Sequence, residues 1–74
     1  MLFLPLLYKF KMNRIKEELE SQGKTQTWLS EKLGKSYNMV NAYSQNRRQP
    51  SIEILYQIAK ILKTDPRDLL VYKK

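Results

Sequence analysis

The chain has 74 residues, enough for one small domain. It contains no cysteine and no histidine. Disulfides and thiolate metal sites are therefore excluded, and the commonest general base and metal ligand is missing. These absences argue against an enzyme and against a metal or other cofactor, and they fit a cytoplasmic protein.

The formal net charge is +7, from 14 basic and 7 acidic residues. A basic surface of this kind attracts nucleic acid or anionic lipid. No acidic residue lies between Glu31 and Glu53. That interval contains the basic residues Lys32, Lys35, Arg47 and Arg48. We expect one face of the domain to be free of negative charge; chance clustering on a solvated surface is the alternative.

The first eight residues are apolar, but a bilayer span needs roughly 20 residues. They lack the basic start and the cleavage site of a secretory signal. Three interpretations stay open: an arm that packs on the domain or a partner, a membrane-touching segment, or a gene-start artefact with the native start at Met12. Without residues 1–11 the chain loses Lys9 and Lys11, and the net charge is +5.

The helix signals predict an all-α domain of five helices. The first runs from about Asn13 to Gln22, with Ile15 and Leu19 on one face and Gly23 past its end.

The second helix is expected to start after the N-cap Thr25 and to end at Gly34. The third starts after a second N-cap, Ser36, and carries Val40 and Tyr43 three residues apart.

The fourth helix begins after Ser51, and Glu53 in its first turn suits the helix dipole. Its apolar stripe is Leu55, Ile58, Ala59 and Leu62. Asp65 and Pro66 are a cap and a first-turn proline, and they open a short fifth helix. Residues 71–74 form a tail, of which residues 72–74 are expected to fray.

Residues 26–45 carry the functional signal. Two short helices are joined by a turn centred on Gly34, so they must cross steeply, as in a helix-turn-helix. We expect the two helices to come closest at Ser30, where only a small side chain fits. The inward-facing residues are Leu29, Leu33, Val40 and Tyr43. Trp28 is interpreted as a further packing residue.

The outward face of the third helix is polar but almost uncharged. It displays Tyr37, Asn38, Asn41 and Ala42, with Met39 at its edge. Asparagine can bond adenine through two groups, and apolar groups can meet the thymine methyl. This face is therefore suited to reading bases; an ordinary polar surface is the alternative.

A larger set of residues carries a family resemblance. These residues are Thr25-Gln26, Leu29, Glu31-Lys32-Leu33-Gly34, Ser36, Val40, Arg48-Gln49-Pro50-Ser51, Leu55, Ile58-Ala59, Leu62 and Asp68-Leu69-Leu70. In this order and spacing the chain resembles the Cro/phage-repressor-type (xenobiotic-response-element-like) helix-turn-helix DNA-binding family over residues 12–70. The resemblance implies a compact five-helix lambda-repressor-like domain and a repressor-like transcriptional regulator that binds double-stranded DNA.

The resemblance also implies roles for individual residues. The third helix enters the major groove, and its base-contacting residues are Tyr37, Asn38, Met39, Asn41 and Ala42. The phosphate-contacting residues are Gln26, Ser36, Asn46, Arg47 and Arg48. In the family the residue at Gln26 often also braces the recognition helix. One small domain makes few base contacts, so we expect a homodimer on half-sites about one helical turn apart.

The chain departs from the family at five positions. Ser30 stands where alanine is common, Lys35 where an apolar residue is common, and Ser44 where glutamate is usual. Replacing that glutamate is expected to remove a charge that would repel phosphate. Asn46 and Lys63 stand at frequent glycine positions, and a left-handed lysine costs roughly 1 kcal/mol relative to glycine.

Two other functions stay open. The same fold could serve as a protein-interaction module, such as an antitoxin-type partner, with the apolar arm as its docking element. Binding to a membrane surface through residues 1–8 is the less favoured alternative. Residues 69–72 and the N-terminal arm are the candidates for the interface of a homodimer.

Overall fold

Four α-helices and one 3₁₀ turn make up the computed structural model, which describes residues 11–71. The elements are α1 (Ile15–Ser21), α2 (Gln26–Leu33), α3 (Tyr37–Ser44), α4 (Ile52–Leu62) and the 3₁₀ turn Pro66–Leu69. The prediction of an all-α domain is confirmed.

The prediction of a fifth α-helix was wrong. Asp65 does cap the segment, because its carboxylate accepts a hydrogen bond of 2.8 Å from the backbone N–H of Arg67. The hydrogen bonds from the Arg67 side chain have the largest effect on the pKa of Asp65. Together with the bond from the Arg67 backbone they lower this pKa to about 2. The helix nevertheless ends after one 3₁₀ turn, because Leu70 is extended and pairs with Asn13.

The predicted starts of α2, α3 and α4 are confirmed by their N-caps. The hydroxyls of Thr25, Ser36 and Ser51 each accept a hydrogen bond from the backbone N–H three residues later, at 3.0, 3.1 and 3.2 Å. Such a bond satisfies one of the donors that a helix start leaves free. The three helices therefore begin where the sequence places them.

The four helices enclose a single core. Its buried residues are Ile15, Leu19, Leu29, Val40, Tyr43, Leu55, Ile58, Ala59, Leu62 and Leu69. Leu33 and Trp28 are partly buried and pack against it. The inward set predicted for the helix-turn-helix and the stripe predicted for α4 thus both lie in the core, with Leu33 at its margin.

The segment before α1 is tied to the segment after the 3₁₀ turn. The N–H of Arg14 donates to the carbonyl of Leu69 at 2.8 Å, and the N–H of Val71 donates to the carbonyl of Met12 at 3.0 Å. These bonds form an antiparallel bridge that the sequence analysis did not predict. The bridge holds Asn13 in extended backbone, so α1 starts at Ile15 and not at Asn13.

Residues 1–10 and 72–74 lie outside the described residues. The predicted frayed tail and all of the predicted N-terminal extension except Lys11 fall there, so the division of the chain into extension, domain and tail stays a prediction. The Lys11 ammonium donates to the carboxylate of Glu17 and lowers the pKa of that carboxyl. None of the helices within residues 11–71 is both long enough and apolar enough to cross a bilayer.

Two residues other than glycine have left-handed backbone, Asn46 at φ 60° and Lys63 at φ 56°. We expect Lys63→Gly to stabilise the protein by about 1 kcal/mol, because glycine avoids the Cβ clash of this conformation. Asn46→Gly relieves the same clash but removes hydrogen bonds to Met12, Asn13 and Gln49. We expect it to destabilise the protein by about 1–3 kcal/mol. Urea unfolding of both variants measures the difference, and equal stabilisation by the two would contradict the structural role of the Asn46 side chain.

Candidate nucleic-acid interface

The turn between α2 and α3 is built on Gly34 and Ser30. Gly34 has φ 75°, and its N–H donates to the carbonyl of Ser30 at 2.9 Å. The N–H of Lys35 donates to the same carbonyl at 3.1 Å. Ser30 is buried, and its hydroxyl donates to the carbonyl of Thr27 at 2.8 Å. Gly34 therefore provides the left-handed backbone of the turn, and the small side chain of Ser30 is buried beside it.

The outward face of α3 is most accessible at its first turn. Tyr37 and Asn38 are exposed, and 49 % of the Tyr37 surface remains accessible. Met39 is partly buried and packs against the core, and Asn41 and Ala42 are also partly buried. Of the five residues predicted to contact bases, Tyr37 and Asn38 thus present the most surface.

Asn41 links two of the other predicted contact residues. Its Nδ2 donates to Oε1 of Gln26 at 2.9 Å, and its Oδ1 accepts from Nη2 of Arg47 at 2.8 Å. We call these three residues the polar relay. Gln26 braces α3 through it, and Arg47 is held beside the helix that it follows. The relay leaves the Nε2 group of Gln26 and the remaining guanidinium N–H groups of Arg47 available as donors.

Arg47 and Arg48 lie in the loop after α3, beyond Gln45 and Asn46, and have exposed side chains. The backbone N–H groups of both donate to the carbonyl of Ala42, at 2.9 and 3.3 Å. The loop is therefore fixed to the last turn of α3, and Nη2 of Arg47 reaches back to Oδ1 of Asn41 in the same helix. Ser36 is exposed as well, and its cap bond uses the hydroxyl oxygen as acceptor, so the proton remains free to bond a phosphate.

Asn46 faces the interior of the loop. Its Oδ1 accepts hydrogen bonds from the N–H groups of Met12 and Asn13, at 2.8 and 2.9 Å, and from Nε2 of Gln49 at 3.1 Å. Its Nδ2 donates to the carbonyl of Asn13 at 3.2 Å. These bonds give Asn46 a structural role, and the phosphate contact predicted for it stays a prediction.

The sequence analysis missed two residues that position this loop, Asn13 and Gln49. The Asn13 side chain donates to the carbonyl of Tyr43 at 3.0 Å and to Oε1 of Gln49 at 2.8 Å. Its Oδ1 accepts from the N–H of Ile15 at 3.0 Å. We call Asn13, Asn46 and Gln49 the amide cluster. An asparagine just before a helix is a weak capping signal, and nothing in the sequence points to its long-range partners.

No acidic residue lies between Glu31 and Glu53, the interval that contains α3 and the loop after it. Within residues 11–71 the ion pairs are Lys11 with Glu17 and Arg67 with Asp65, and both lie outside the acid-free interval. Arg47 and Arg48 are therefore not neutralised by a carboxylate of the described chain. No group of histidine, cysteine, aspartate and glutamate in the same residues could hold a metal ion.

Trp28 lies at the edge of this surface. The ammonium groups of Lys24 and Lys32 lie 4.7 and 6.0 Å from the centre of its ring, distances at which a cation is attracted to an aromatic face. Because Trp28 also packs against the core, its interpretation as a packing residue is confirmed.

A helix-turn-helix family model matches residues 15–69, most of the chain. The chain belongs to this helix-turn-helix family. The predicted resemblance to Cro/phage-repressor-type regulators is thereby confirmed. No curated protein sequence matches the chain.

The solved structures that resemble this one include the following two. A candidate DNA-binding protein from Bacteroides fragilis is 40 % identical, with a TM-score of 0.80 over 81 % of this chain and 97 % of that one. The restriction-modification controller protein C.AhdI from Aeromonas hydrophila is 24 % identical, with a TM-score of 0.69 over 74 % of this chain and 83 % of that one. The second likeness concerns the fold alone.

Ser44, where the family resemblance leads one to expect glutamate, is buried in α3 and does not face outward. The expectation that it reduces repulsion of phosphate therefore needs correction. Within the described residues its hydroxyl has no hydrogen-bond partner. We expect Ser44→Ala to raise the free energy of unfolding by about 1 kcal/mol, because the alanine leaves no unsatisfied hydroxyl in the core. Thermal and urea unfolding test this, and a loss of stability would show that the hydroxyl is bonded in solution.

Proposed function

We propose that the protein is a sequence-specific, repressor-like regulator of transcription that binds double-stranded DNA with α3 in the major groove. The observation that carries this proposal is the exposed, uncharged first turn of α3, followed by Arg47 and Arg48, which have no carboxylate partner within residues 11–71. Membership of the helix-turn-helix family supports it. The description of the Bacteroides fragilis relative as a DNA-binding protein is consistent with it.

Bases are read from the first turn of α3 in this proposal. The side chains of Tyr37 and Asn38 are the most exposed polar groups of the recognition helix. The Asn38 amide offers a donor and an acceptor, the pattern that matches the major-groove edge of adenine. Met39, Asn41 and Ala42 are partly buried, and they are the further candidates for base contacts once the first turn is inserted.

Phosphates are bound on both sides of that turn. Gln26 and Ser36 lie near the start of α3, whereas Arg47 and Arg48 lie in the loop after its end. Asn46, in the same loop, is the further candidate for a phosphate contact. Contacts of this kind fix the register on the duplex without reading its sequence. Each neutralised phosphate releases counterions, so affinity falls as salt concentration rises.

We further propose that the protein acts as a homodimer. A single copy presents few groups to the bases, and two copies read two half-sites about one helical turn apart. A two-fold operator would mirror the symmetry of such a dimer.

Selection from a random duplex library gives the site on which the proposal is tested. On that site we expect the logarithm of affinity to fall with the logarithm of salt concentration by about 0.9 per neutralised phosphate. Arg48→Ala should weaken binding to all sequences alike and reduce this slope by about 2, because it removes one phosphate contact from each of the two half-sites. Arg67→Ala is the matched control, since Arg67 is an exposed arginine outside the acid-free interval. Affinity without salt dependence, or recovery of a protein and no duplex, would contradict the proposal.

Asn38→Ala should behave differently from Arg48→Ala. We expect it to cost about 1–3 kcal/mol for each half-site of the selected duplex and to relax the preference at one base position of each half-site. A second selection with the variant measures that preference. If Asn38→Ala weakens all sequences equally, Asn38 is not a reading residue.

The polar relay predicts that Asn41 and Arg47 act as a unit. We expect Asn41→Ala to weaken binding largely by releasing Arg47, so that the double variant loses little more than Arg47→Ala alone. A double-mutant cycle on the selected duplex should give a coupling of about 0.5–3 kcal/mol, typical of residues in contact. Additive losses together with a relaxed base preference for Asn41→Ala would show that Asn41 reads a base directly.

A further inference from the structure

The outer face of α4 carries two large apolar side chains that are exposed to solvent. Ile52 and Tyr56 lie one turn apart, and 69 % and 59 % of their surfaces are accessible. The opposite face of the same helix supplies Leu55, Ile58 and Leu62 to the core. The two side chains form a small exposed apolar patch on the outside of the domain.

The same outer face has a hollow at its C-terminal half. The hollow lies between α4 and the 3₁₀ turn and has a volume of about 350 Å³. Its lining is largely apolar and consists of Tyr56, Gln57, Ala59, Lys60, Thr64 and Pro66. The face therefore has an apolar protrusion, Ile52, at one end and an apolar hollow, near Pro66, at the other.

We propose that a second copy of this chain covers the face, with the two α4 helices packed antiparallel about a two-fold axis between Tyr56 and Gln57. This register places Ile52 of each copy over the hollow of the other. The contact is isologous, because the same surface is used twice and each copy provides both the protrusion and the hollow. The inference deepens the homodimer of the proposed function by assigning its interface, and it rests on that homodimer.

Charge complementarity supports the register. Glu53 and Lys60 are exposed and lie two turns apart along the same edge of the outer face. Antiparallel packing about the proposed axis brings Glu53 of one copy level with Lys60 of the other, and symmetry repeats the pair. In the part of the chain that the structure describes, neither residue has an ion-pair partner. The same face therefore carries both members of two complementary pairs, Ile52 with the hollow and Glu53 with Lys60. Two copies of the face can satisfy both pairs in each direction.

Sedimentation equilibrium of the full chain without DNA tests the interface separately from the proposed function. We expect a dimer, and we expect Ile52→Glu to raise its dissociation constant about 100-fold, from about tenfold for each of the two copies. Tyr37→Ser is the matched control, since it removes an exposed aromatic side chain outside the face and should leave the constant unchanged. A monomer at every soluble concentration, or a dimer insensitive to Ile52→Glu, would overturn the proposal whether or not the protein binds DNA.

A charge exchange tests the register itself. Glu53→Lys and Lys60→Glu should each weaken the dimer, because each places like charges together twice. The double variant should recover the affinity, and an equimolar mixture of the two single variants should form a heterodimer in preference to either homodimer. Circular dichroism checks that each single variant is folded. Failure of both the double variant and the mixture to recover affinity would overturn the antiparallel register.

Discussion

The loop after α3 is held by three side-chain amides, and the position of the basic residues depends on them. Asn46 adopts left-handed backbone there, and its Oδ1 binds two backbone N–H groups from the start of the chain. Asn13, which is almost fully buried, returns a bond to the carbonyl of Tyr43 near the end of α3. A buried amide is costly unless it is paired, so the full pairing of the Asn13 side chain with Tyr43, Gln49 and Ile15 favours one loop conformation over others.

The amide cluster orders the proposed nucleic-acid interface from the opposite side of the loop. The amide cluster fixes the inner side of the loop, and the carbonyl of Ala42 holds the N–H groups of Arg47 and Arg48 on the outer side. The polar relay then joins Arg47 to α2 through Asn41. The groups proposed to bind phosphate are thus ordered before DNA arrives, which lowers the conformational entropy lost on binding.

Local signals allowed the sequence to predict most of the fold. The caps at Thr25, Ser36 and Ser51 and the stripe of α4 are read within a single turn or helix. The fifth helix was predicted wrongly because Asp65 and Pro66 signal a start, whereas its length is set by the distant pairing of Leu70 with Asn13. The amide cluster and the polar relay join residues up to 36 and 15 positions apart, so only the packed helices bring them together. Ser44 shows the same limit, since its inward direction depends on how α3 sits against its neighbours.

The bridge between the two ends of the described chain couples the local unfolding of these ends to that of the loop after α3. The amides of Met12 and Asn13 are bonded to a side chain in the loop after α3, and Met12 and Arg14 are bonded to residues 71 and 69. Loosening the loop therefore frees backbone at both ends, and the three segments form one cooperative unit in the sense used for hydrogen exchange. Exchange at Met12 and Asn13 reports on a loop more than thirty residues away, so a ligand that stiffens the loop would be visible at the beginning of the fold.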